Sequence, residues 1–144
     1  MSAQIIRLII AGVLFLHGVA HFGPLGTYIW IRFRPADSTG GWVGARSWLL
    51  PSLPPGAATA IASLFWILSI IGFVGAALSF WGILVPGDLW RQIAIASAIA
   101  STLGIVAFFG TWPMFNAIAA LGVNLAVLVT QLWLRWPPQL MFGK

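Results

Sequence analysis

Residues 57–84 read AATAIASLFWILSIIGFVGAALSFWGIL, and this uncharged run decides the fold class. An α-helix of about 20 apolar residues crosses the ~30 Å hydrocarbon core of a bilayer, so a run of this length and composition reads as a membrane span. Three similar runs, at 5–22, 93–109 and 115–134, take up much of the remaining chain. A domain of 144 residues has no interior large enough to hide four such helices from water. In lipid, only helices and closed barrels satisfy their own backbone groups. The expected fold class is all-α: a polytopic membrane protein with residues 1–144 as a single membrane domain, arranged as a four-helix up-down bundle with a long loop after the first helix.

Working outward, turn signals set the expected boundaries at about 5–22, 59–84, 90–109 and 114–136. Gly23-Pro24 predicts a break or kink after the first span, because proline lacks a backbone donor and restricts the residue before it. Residues 25–33 then continue helically to headgroup depth, where Tyr28 and Trp30 suit the interface. The stretch 34–56 holds Pro35, Asp37, Gly40, Gly41, Gly44, Pro51, Pro54 and Pro55 and is too punctuated for a span, so it is expected outside the membrane. Within it, 42–50 suits a short amphipathic piece on the surface, with Trp42, Trp48, Leu49 and Leu50 inserted and Arg46 in water. The later spans end at Val85-Pro86-Gly87-Asp88, at Gly110-Thr111-Trp112-Pro113 and at Pro137-Pro138.

With 60% hydrophobic and 6% charged residues, the chain differs sharply from soluble domains, in which about a quarter of residues are charged. A net charge of +5 would suggest nucleic acid in a soluble protein, but the basic residues are scattered and form no cluster. No nucleic-acid partner is expected. Arg32, Arg34, Arg91, Arg135 and Lys144 flank spans as headgroup anchors, so the lipid bilayer, anionic lipid included, is the partner they imply. Four spans put both termini on one side. Arg7, Arg91, Arg135 and Lys144 fall there against Arg32, Arg34 and Arg46 opposite, an excess that points to cytoplasmic termini in a cell inner membrane. Arg7 and the apolar run up to Gly18-Val19-Ala20 faintly resemble a signal peptide, but the histidine pair in that run argues for its retention.

Helix association in lipid relies on close approach of small residues. Ala94, Ser97, Ala98, Ser101 and Gly104 form such a face on the third span, and Ser69, Gly72, Ala76 and Ser79 form one on the second. Packing is the expected role of both.

The candidate site residues begin with His17 and His21, one turn apart and about 40° around the helix from each other. Arg7, Ile10 and Leu14 share their arc, which predicts an inward face carrying Arg7 and both imidazoles. Two histidines at this spacing can share a metal ion, but they are the only histidines. Cysteine and glutamate are absent, and Asp37 and Asp88 lie in loops, so no third ligand is at hand and no intrinsic metal is expected. Haem is disfavoured too, because two imidazoles on one helix face cannot take opposite axial positions of one haem. The functional reading is hydrogen-bond donation to a quinone carbonyl or lipid headgroup. The structural alternative makes His21 an interfacial residue and bonds His17 to another helix. On the fourth span Asn116, Asn124 and Gln131 share one face, predicting a polar seam that reaches the third-span serines or the histidines, with Asn124 deepest. His17, His21, Asn124, Gln131 and Arg7 are thus the candidate ligand-binding set. Acid–base catalysis would rest on two histidines alone, so no catalytic residue is assigned and an enzyme is not the favoured reading.

The pattern Arg7-Leu8…Gly12…Leu14-Phe15-Leu16-His17-Gly18 resembles the opening of the DoxX-like small membrane proteins, with His21 where that family carries a lysine. The resemblance implies four helices, a longer connection after the first, and association with quinone-linked sulfur or thiol oxidation as a partner of other subunits. Taken together, the expectation is an accessory or non-catalytic membrane subunit that binds quinone or lipid, with other membrane subunits or its own copies as partners. A quinone-linked oxidoreductase using His17 and His21 and a small transporter or channel subunit are the alternatives.

Overall fold

The computed structural model describes residues 2–39 and 44–138, and among them every regular element is helical. The order is α1 (Ala3–Ala20), α2 (Phe22–Arg32), a 3₁₀ turn (Ala36–Thr39), α3 (Pro55–Ser79), α4 (Trp90–Ala107) and α5 (Met114–Leu128), which continues as a π-helical turn (Val129–Trp133). Four helical stretches are long and apolar enough to cross a membrane: Ala3–Arg32, Pro55–Ser79, Trp90–Ala107 and Met114–Trp133. Gly40, Gly41, Trp42 and Lys144, expected to serve as loop, membrane-inserted and anchoring residues, lie outside the described residues.

The boundaries differ from expectation for local reasons. The break after α1 falls at His21, ahead of Gly23-Pro24. Proline at position 24 cannot donate to the carbonyl of Ala20 and its ring crowds that oxygen, so the helix interrupts one turn earlier. Pro24 itself then sits in the first turn of α2, where its missing N–H costs nothing. At the start of α3, Pro55 occupies the first helical position, for which its fixed φ is suited, and the helix opens there instead of at 59. Its other end comes at Ser79, not at 84. Gly82 takes φ 64° while the N–H of Ile83 reaches the Leu78 carbonyl and that of Gly82 reaches the Ser79 carbonyl. This is the double closure of a glycine C-cap, available because glycine has no Cβ to oppose that φ.

Packing centres on α3, which lies against both α1 and α4, with α4 also against α5. The small-residue faces do meet. Ala94, Ser97, Ala98, Ser101 and Gly104 of α4 are buried, as are Ser69, Ala76 and Ser79 of α3. A Cβ placed on Gly104 would lie 2.7 Å from the Phe65 Cβ, so the two backbones approach as closely as glycine permits. One cluster joins Leu14, Phe73, Phe80, Trp90 and Val127; a second joins Tyr28, Trp66, Ile105, Phe108 and Ala117.

Residues 44–54 contain no helix and fasten onto the α4–α5 turn. Ser47 Oγ donates to the Ala107 carbonyl at 2.8 Å, and the Thr111 hydroxyl bonds the Arg46 backbone. Trp48, Leu49 and Leu50 stay exposed, as a lipid-facing surface would require.

Candidate functional site

His17, on the inner face of α1, and His21, at the junction of α1 and α2, both lie against Phe73 of α3. His21 is 5% exposed, so its ring lies inside the bundle, on the inward face expected for both imidazoles. His17 bonds another helix, Nε2 lying 2.9 Å from Oδ1 of Asn124 on α5. Asn124, with no exposed surface, donates through Nδ2 to Ser101 Oγ on α4 at 2.8 Å. Ser101 Oγ is also 2.8 Å from His21 Nε2. His21 Nδ1 is 2.8 Å from the carbonyl of His17.

These four contacts fix every proton in the circuit. A carbonyl oxygen only accepts, so His21 Nδ1 carries the hydrogen and, in the neutral ring, Nε2 is the acceptor. Ser101 must then donate to His21 and accept from Asn124, which presents its amide nitrogen to Ser101 and its oxygen to His17. His17 is therefore protonated on Nε2. Turning the Asn124 amide over would force a second proton onto His21 with no carboxylate in any span to balance it. The neutral circuit is the arrangement that satisfies all four contacts without a buried charge.

A cleft of about 800 Å³ opens beside the circuit, between the α1–α2 pair and α5. That size matches small-molecule sites. His17 and His21 form part of its wall, with Trp66, Ile105, Trp112 and Pro113 as flat or apolar surfaces and Thr27 and Asn116 as polar ones. The cleft exists because α1 and α2 do not pack closely on α5; both instead lean on α3. Of the predicted seam, Asn124 lies behind the cleft and the exposed Asn116 lines it.

The other two candidates sit elsewhere. Gln131, in the π turn, accepts from Arg91 Nε at 3.1 Å and donates to the Trp136 carbonyl at 2.9 Å. Arg7 donates to the Phe80 carbonyl at 2.7 Å, beyond the last turn of α3, with its guanidinium 5.4 Å from the Trp81 ring. A cation at a helix C-terminus is favourable, and neither residue lines the cleft. Sequence reasoning passed over Trp66, which is 2% exposed in the middle of α3. Its depth was the available signal, since tryptophan in a span favours the two interfaces.

Among the described residues no group of three or more His, Cys, Asp or Glu is placed to hold a metal ion. No family model matches the chain, and neither a curated protein nor a solved structure matches it.

Proposed function

We propose that this chain is a four-span, up-down inner-membrane protein with cytoplasmic termini and an extramembrane loop over 34–56, and that it acts as a non-catalytic or accessory subunit holding a quinone or lipid in the cleft. The observation that carries the binding role is the cleft itself: about 800 Å³, mostly apolar, opening between spans with His17 at its wall. An amphiphile enters such a site from the bilayer without leaving an apolar medium, and a few polar groups then fix its head. The circuit supports the non-catalytic reading. Both nitrogens of His21 and the Nε2 of His17 are committed to structural bonds, and no carboxylate or thiol lies in the spans to move protons or attack a substrate. The DoxX-like pattern around His17-Gly18 is consistent with this role and suggests a larger membrane assembly as its setting.

The test is retention. Solvent extraction of the purified protein followed by mass spectrometry should recover a quinone or a defined lipid. In Ala119→Trp, which fills the cleft from its exposed rim, that molecule should be lost while the helix content stays the same. Equal recovery from both proteins would remove the cleft as the binding site.

A further inference from the structure

We infer that the cleft selects an aromatic amphiphile whose leading atom donates a hydrogen bond, a phenol or hydroquinone hydroxyl, over the same ring ending in a carbonyl or an ether. This rests on the reading of the cleft as a ligand site and reverses the polarity that the histidine pair suggests from sequence.

The direction comes from the circuit. Because His21 Nδ1 faces a carbonyl, the chain of donors runs one way: His17 to Asn124, Asn124 to Ser101, Ser101 to His21, His21 back to the His17 backbone. Each of these atoms is used. What remains is His17 Nδ1, which the assignment leaves as a bare lone pair. His17 is 9% exposed and lines the cleft. The imidazole thus offers the cleft an acceptor. His21 offers it nothing but ring surface, since both its nitrogens are bonded.

A carbonyl or ether oxygen brought to Nδ1 would set one lone pair against another in an apolar site. A hydroxyl completes the bond that the protein leaves open, and an unmet buried acceptor is costly. The surroundings favour a ring behind that hydroxyl. Trp66 lies tilted against His21 with ring centroids 5.6 Å apart, and Trp112 and Pro113 supply further flat surface.

The probes are para-dodecylphenol and its methyl ether, which share shape and tail and differ in the single donor. Titration calorimetry into the full-length protein in nanodiscs should show the phenol binding about tenfold or more tightly than the ether, with the phenol's advantage lost in Ala119→Trp. A short-tailed hydroquinone should likewise outbind its quinone. Equal or tighter binding of the ether, still abolished by Ala119→Trp, would overturn the donor preference and leave the cleft as a site. Absence of binding, or binding indifferent to Ala119→Trp, would overturn both. Dioleoylglycerol matching the phenol in the cleft would overturn the aromatic part and assign the hydroxyl to a lipid. As a check that needs no ligand, nitrogen-15 spectra of His17 should show Nδ1 bare and Nε2 protonated; the opposite tautomer would also defeat the inference.

Discussion

The Nε2 of His17 and the Oδ1 of Asn124 lie 2.9 Å apart across 107 positions of sequence, joining α1 to α5, two helices that otherwise scarcely touch. Asn124 also holds Ser101, so one amide ties three helices together. Asn124→Ala should lower thermal stability in detergent by about 1–3 kcal/mol, because it strands the His17 donor and frees Ser101. Asn124→Leu should cost more, since its larger branched side chain also presses on the small-residue face of α4. An alanine variant as stable as the wild type, yet without retained ligand, would make the amide a ligand contact and not a brace.

Gly104 should not tolerate a methyl group. Alanine there meets the Phe65 Cβ at 2.7 Å, and a Cβ at the root of a side chain cannot swing away, so α3 and α4 must part. A loss of about 1–3 kcal/mol is expected for Gly104→Ala. Gly12→Ala, with nothing within 4 Å of the new atom, is the control and should unfold at or above the wild-type temperature. Equal melting of the two variants would contradict the close crossing.

Arg91 fastens the segment 131–137 through Gln131 and the carbonyls of Arg135 and Pro137. Arg91→Ala should raise hydrogen exchange across residues 130–137 and leave α1 unaffected. Lysine should restore little, because a single ammonium cannot span three acceptors as the guanidinium fork does. Unchanged exchange in Arg91→Ala would show the contacts to be incidental.

The absence of cysteine makes topology directly readable. Cysteines introduced at the exposed positions Ser52 and Asp88 should be labelled from opposite sides of the membrane by an impermeant maleimide. Ala45 would be a poor reporter, being fully buried. Labelling of both positions from one side would remove the four-span arrangement.

The helical face of α1 was legible because 100° per residue converts spacing into direction: Ala11, Leu14, His17 and Gly18 are its buried positions. The same arithmetic grouped Arg7 with the histidines and Gln131 with Asn124, and there direction was not enough. Arg7 lies about 15 Å along the axis from His17, and Gln131 about 10 Å from Asn124. At those depths the neighbours are the Phe80 carbonyl and Arg91, and no wheel drawn on one helix contains them. The early end of α3 had a sequence signal in Gly82, but whether a glycine caps a helix or passes through it depends on the carbonyls it finds to close.

The sequence by itself determined that four apolar helices form, which face of each is small or polar, and that two histidines share a face. Those properties follow from composition and helical period, which are local. Only the tertiary structure decided that α1 and α5 stand apart, each leaning on a helix of the α3–α4 pair, so that a cleft opens between them and Asn124 reaches across to His17. It alone also set the direction of the hydrogen bonds. An imidazole can donate or accept through either nitrogen, and that ambiguity is removed only by the partner on the far side of the bond.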